Sequence, residues 1–180
     1  NGGATKGNGS CTVTFNNCIF HENVARGYSG AHTNWMNDGG SSTFNNCTIE
    51  GNTQYDTSNF GAVSALYGTV NMRNSIIRNT IDGSLGAGSA RDIYFVTGVN
   101  LNYGVEGSSS LSGSNSTSDP LFTDTANDDY TLQSGSPAID AGSSTYAPAD
   151  DISDLSRPQG QADDLGAYEH ANTWDGSSST

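Results

Sequence analysis

Basic residues are the scarcest chemical class in this chain. Six Lys and Arg stand against 19 Asp and Glu, giving a formal charge of −13 and a pI near 4.1. Nucleic acids and anionic bilayers are drawn to basic surface, so this balance argues against both as partners. Cysteine is also sparse. Three residues, without metal-ligand spacing, make neither a disulfide framework nor a zinc site. No apolar run approaches the ~20 residues needed to cross a bilayer, and no signal peptide opens the chain. The first residue is Asn1 rather than Met, and the chain reads as a processed or excised piece of something longer.

Apolar residues make up only 33% and charged residues 14%, both below the usual globular shares. With 23 Gly and abundant Ser, Asn and Thr, the composition alone would suit disorder. Against disorder, the apolar residues recur in register. Thr14-Phe15-Asn16-Asn17-Cys18-Ile19-Phe20-His21 returns as Thr43-Phe44-Asn45-Asn46-Cys47-Thr48-Ile49-Glu50, then as Asn71-Met72-Arg73-Asn74-Ser75-Ile76-Ile77-Arg78. Phe15 and Phe44 lie 29 residues apart, Phe44 and Met72 28, and Met72 and Leu101 29. A period of this size marks a repeat architecture, in which each turn adds a few apolar side chains to a continuous stack.

Alternation within each copy sorts the faces. Val13, Phe15, Cys18 and Phe20 point inward in the first copy, Phe44, Cys47 and Ile49 in the second, and Val70, Met72, Ser75 and Ile77 in the third. Asn17, Asn46 and Asn74, with Asn102 as a further member, form a column at a bend, because Asn tolerates left-handed backbone and stacked amides can bond one another. Another strand per turn is expected at Gly30–Trp35 and Gly61–Leu66, with Asp92–Phe95 as a third member. There Ala31, Thr33 and Trp35 are expected to stack inward with Ala62, Ser64 and Leu66. From Gly107 the register fails, and Ser108 to Ser118 reads as loop.

These copies resemble the right-handed parallel β-helix repeats of large secreted bacterial proteins. The tail carries a more specific likeness. Asp119-Pro120-Leu121-Phe122, Tyr130-Thr131-Leu132, Ser134 to Gly142, Asp154…Arg157-Pro158 and Asp164-Leu165-Gly166-Ala167-Tyr168-Glu169 occur in that order. Together they resemble the C-terminal end of surface-anchored, choice-of-anchor β-helix proteins, many of them described as pectate-lyase-like on fold alone. The resemblance implies an all-β right-handed solenoid of three to four coils over residues 1–106, an irregular cap over 107–170 and a linker or tail over 171–180. It also implies an extracellular or cell-surface location.

Function is less legible, since this fold serves lyases, adhesins and inert stalks alike. A lyase acting on acidic polysaccharide needs a base beside acidic calcium ligands. The outward column His21, Glu50 and Arg78, with Glu106 as a further candidate, is where such chemistry would sit. In-register strands lie ~4.8 Å apart, so neighbours in this column can touch. The simpler reading is a surface ladder in which Glu50 pairs with Arg78, worth at most about 1 kcal/mol. No cofactor is required, although Asp119, Asp124, Asp128, Asp129 and their neighbours make calcium the candidate cation, without any defined calcium-loop motif. Asp154 with Arg157 reads as a pair stabilising the cap, and Asp140 and Asp164 read as buried turn formers. Trp35, Tyr28, Tyr55 and Tyr67 are candidate stacking platforms for a neutral glycan. Stacked, unlinked thiols are expected at Cys18 and Cys47, because parallel Cβ vectors disfavour disulfide torsion. The expectation is a non-catalytic structural or adhesive module, whose partners are another copy of itself or a surface glycan. A polysaccharide lyase-like enzyme or glycan-binding fragment is the alternative.

Overall fold

The computed structural model describes residues 3–36, 38–55, 61–82, 93–95, 99–106, 115–116 and 118–171. Among these there is no α-helix; the chain is all-β and its main sheets are parallel. Thr5–Asn8, His32–Trp35, Val63–Tyr67 and Ile93–Phe95 form a first wall. A second wall carries Thr12–Asn16, Ser41–Asn45, Thr69–Arg78, Val99–Glu106 and Asn115–Ser116, with Ile19–His21 and Thr48–Glu50 continuing it past the bend. Val24–Ala25, Thr53–Gln54 and Ile81–Asp82 make a short third wall. Each pass of chain therefore lays its strands beside those of the pass before.

The register is the one that the repeat spacing predicts. Phe15 pairs with Phe44, Phe44 with Met72 and Met72 with Leu101. Parallel, unshifted pairing places equivalent side chains on one face, and the apolar ones accumulate inside. Phe44, Cys47, Ile49, Val70, Met72 and Ile77 are buried in one cluster. Phe15 stacks on Phe44 with ring centroids 4.8 Å apart, and Phe20 meets both edge-on, the arrangements that ring quadrupoles favour. The three cysteines are free. A hydrogen bond from the Cys47 thiol pulls the Cys18 thiol down to about 6, while burial pushes Cys47 up.

The bend column is equally regular. Asn17, Asn46 and Asn74 all take left-handed backbone, with φ of 50°, 49° and 49°. Asn74 Nδ2 donates to Asn46 Oδ1 at 3.2 Å. Asn102 is not a member, because it pairs with Arg73, one residue before the bend. A second column, unread in the sequence, joins Asn23 to Asn52, whose Oδ1 accepts from the Asn23 amide nitrogens.

The first wall departs from expectation. His32, Asn34, Val63 and Ala65 are buried, with Val63 and Ala65 in the core cluster. Trp35 meets Tyr28 and Tyr67 instead of the interior rings. Ala31 and Ala62 join the core cluster as expected, and Thr33 and Ser64 are shielded from solvent, but beyond the alanines the interior is lined by His32, Asn34, Val63 and Ala65 rather than by Trp35 and Leu66. Polar residues can occupy the interior because they form a closed relay. Ser42 Oγ donates to Asn34 Oδ1 at 3.1 Å and so accepts from His32 Nε2 at 2.9 Å, leaving His32 Nδ1 to accept from Thr5 Oγ1 at 2.8 Å. This network selects the neutral Nε2–H tautomer. Asn34 Nδ2 completes it by donating to the carbonyls of Tyr67 and Thr69.

Residues 118–171 contain an antiparallel pair, Phe122–Asp124 with Asp129–Leu132, and otherwise run as turns. Asn115–Ser116, expected as loop, instead adds a short strand beside Gly104 and Val105; most of residues 107–117 and 172–180 lie outside the described residues. The C-terminal segment lies along the flank of the second wall, held by one asparagine per pass. Asn17 Nδ2 donates to the carbonyl of Asp150, Asn46 Nδ2 to that of Asp164 and Asn74 Nδ2 to that of Ser143. Ile76 faces outward by alternation, yet it is buried against Leu132, Ala138 and Leu165. Gly166 makes this approach feasible: at φ 92°, any Cβ there would sit 2.9 Å from Thr48 Oγ1 and Ile76 Cδ1. Replacing Asn46 by alanine is expected to cost about 2 kcal/mol in urea unfolding, because it removes the buried hydrogen bonds to the Asp164 carbonyl and from Asn74 Nδ2 and keeps a left-handed backbone. Asn46→Gly removes the backbone part and should cost less.

Candidate functional site

The register places His21, Glu50 and Arg78 in one row across three strands. Glu106 falls out of that row, since it pairs with Ile77 rather than Arg78. The row is not the open surface ladder that the sequence suggests, because the C-terminal segment crosses over it. Arg78 Nη1 binds Asp119 Oδ1 at 2.9 Å, and its Nε lies 3.9 Å from Glu50 Oε2. Glu50 is buried and accepts from Asn79 Nδ2 at 2.5 Å. His21 Nδ1 lies 3.3 Å from Asp128 Oδ1, and its ring packs 5.5 Å from that of Tyr130.

Beside the row, Glu50, Arg78, Asn79, Asp119, Phe122 and Gln133 line a cavity of about 260 Å³. Its charged groups are largely spoken for. Arg78 sits between two carboxylates, and its guanidinium offers donors only, so its place in the row is to pair with anions. Negative charge gathers toward the His21 end. Burial pushes the Tyr130 phenol up to about 12, with Asp128, Glu50 and Glu22 adding to the shift. One donor atom from each of His21, Glu22 and Asp128 lies within 4.8 Å of the others. From sequence, Asp119 and Asp128 were candidate calcium ligands of an acidic tail, with Asp119 also opening the Asp119-Pro120-Leu121-Phe122 motif. No repeat spacing links them to the row they complete.

The aromatic candidates divide. Trp35 packs against Tyr28 at 5.2 Å and Tyr67 at 5.4 Å on the outer side of the first wall, with Lys6 Nζ 4.9 Å from the indole centroid. Tyr55 stands apart, exposed beside Arg26 at a shallow hollow of about 370 Å³. Arg157, assigned from sequence to Asp154, instead pairs with Glu169 at 2.7 Å. Asp164 is buried as expected and accepts from the amides of Asp140 and His170, whereas Asp140 is exposed. Comparison with protein families, curated proteins and solved structures finds no match.

Proposed function

We propose that this chain is a segment of a right-handed parallel β-helix, three to four coils long, and that it serves as a non-catalytic structural or adhesive module of a secreted or cell-surface protein. The observation that supports this reading is the covered row. Its cation is tied into pairs by Asp119 and Glu50 under a docked C-terminal segment. A wall whose charges are used to fasten its own flank suits a stalk or matrix component better than an active site. Among the described residues no helix is long and apolar enough to cross a membrane. The partners on this reading are a second copy of the chain, meeting free strand edges of the first pass, or a surface glycan.

A glycan-binding reading draws on one specific observation, the Tyr28–Trp35–Tyr67 group on the outer wall. Sugar faces stack on such rings, and a shift of tryptophan fluorescence on titration with neutral oligosaccharides, lost in Trp35→Ala, would favour it over an inert stalk. The lyase alternative is tested by incubating the protein with polyuronides and following the absorbance of unsaturated product. The expected outcome is no turnover above the Arg78→Ala variant, with or without added calcium. Robust turnover lost in that variant would overturn the structural reading.

A further inference from the structure

One group of side chains carries chemistry that the fold does not use. His21 ends its strand, Glu22 follows in left-handed backbone, and Asp128 reaches over from the turn after Thr125–Asn127. Their donor atoms converge to within 4.8 Å of one another. His21 Nδ1 is shielded from solvent yet makes no hydrogen bond, an arrangement that costs free energy unless something else meets the nitrogen. Its separation from Asp128 Oδ1, 3.3 Å, is long for a charge-assisted hydrogen bond, which closes to about 2.7–2.9 Å. It suits two ligands on one ion, since bonds of about 2.0–2.1 Å at a tetrahedral angle put donor atoms about 3.3 Å apart. Among the described residues, no lysine or arginine forms an ion pair with Glu22 or Asp128.

We propose that His21, Glu22 and Asp128 form a site for one divalent transition-metal ion of the zinc class, which ties the C-terminal segment to the first pass of the sheet. The imidazole nitrogen decides the class. Calcium and magnesium take oxygen ligands, whereas zinc and its neighbours accept nitrogen with carboxylate. Three protein ligands leave a fourth position for water.

The test is titration of the metal-stripped protein with zinc chloride by calorimetry, paired with cobalt(II) absorbance to read the ligand field. One ion per chain should bind, with d–d bands of tetrahedral intensity and a Tm rise of about 5–10 °C at a hundredfold excess over Kd. His21→Ala and Asp128→Asn should each weaken binding by more than about a hundredfold, beyond the 10- to 100-fold typical of outer-shell losses. Asp128 is exposed, so Asp128→Asn should retain the far-UV spectrum of the parent and test the site even if His21→Ala misfolds. Asp154→Asn, in a turn outside the cluster, should bind as the parent does. Absence of saturable binding overturns the proposal, as does binding that survives both Asp128→Asn and a folded His21→Ala.

Discussion

Replacing Arg157 by methionine is expected to destabilise the protein by about 3–5 kcal/mol and to release the C-terminal segment from the flank. The Arg157 and Glu169 side chains are both fully shielded from solvent and meet at 2.7 Å. The guanidinium also donates to the carbonyls of Asp164, Gly166 and Ala167. Glu169 in turn accepts from the amides of Gln159 and Asp164. Removing the arginine leaves a buried carboxylate and three carbonyls without this donor. The stretch it holds is the one that docks: Gly166 N donates to the Asn74 carbonyl, and Ala167 N to Thr48 Oγ1. Urea unfolding measures the cost, and limited proteolysis within residues 118–171 reports the release. Arg157→Lys should not rescue, because one ammonium cannot reproduce a planar fork serving four acceptors. The double variant Arg157→Met/Glu169→Leu should not rescue either, since the Gly166 carbonyl loses its donor and the Gln159 and Asp164 amides lose the carboxylate that accepts from them. A loss below about 1 kcal/mol in the single variant would show that the segment docks without this centre.

Acidification from pH 6.5 to pH 4 is expected to remove about 3 kcal/mol of stability through His32 alone. Burial holds this imidazole down at about 4 against an ordinary 6.5. Between those values the unfolded chain binds a proton that the folded chain refuses, so stability is full above pH 6.5 and falls as pH drops through the window. The relay satisfies both nitrogens of the neutral ring, and no carboxylate in it offsets the cost of burying a charged imidazole. Asp164 and Glu169 act in the opposite sense. Burial raises both carboxyls, so their share of stability grows as pH falls through their raised range. The measurement that isolates His32 is therefore the difference in unfolding free energy between the parent and His32→Gln across pH 4–8. That difference should be level above 6.5 and shift by about 3 kcal/mol towards the variant by pH 4. A flat difference would mean that the imidazole takes up its proton inside the fold.

Much of the interior was legible from residues alone. Period-two alternation and a repeat near 29 residues put Phe15, Phe44 and Met72 side by side, and the pairing agrees. Asn17, Asn46 and Asn74 were assigned left-handed backbone because few other residues adopt it cheaply, and all three do. The first wall was harder. His32 and Asn34 look like surface residues beside Thr33 and Trp35, and only the relay through Thr5 and Ser42 makes them suitable for the interior.

The candidate row shows where local reading stops. Sequence spacing determined that His21, Glu50 and Arg78 align, because parallel stacking converts a constant interval into contact. It could not determine what covers them. The flank contacts join residues far apart in the chain, such as Asn17 to Asp150 and Asn46 to Asp164, and they end on backbone carbonyls. Every residue has a carbonyl, so nothing in the side-chain pattern marks these partners. The tail's likeness to a cap is similarly silent about which carboxylate receives Arg157 and which turn brings Asp128 to His21. The sequence by itself determined the stacked passes and their register, since these follow from a repeated local pattern. Only the tertiary structure decided that the outward row is covered, because non-repeating contacts close over it.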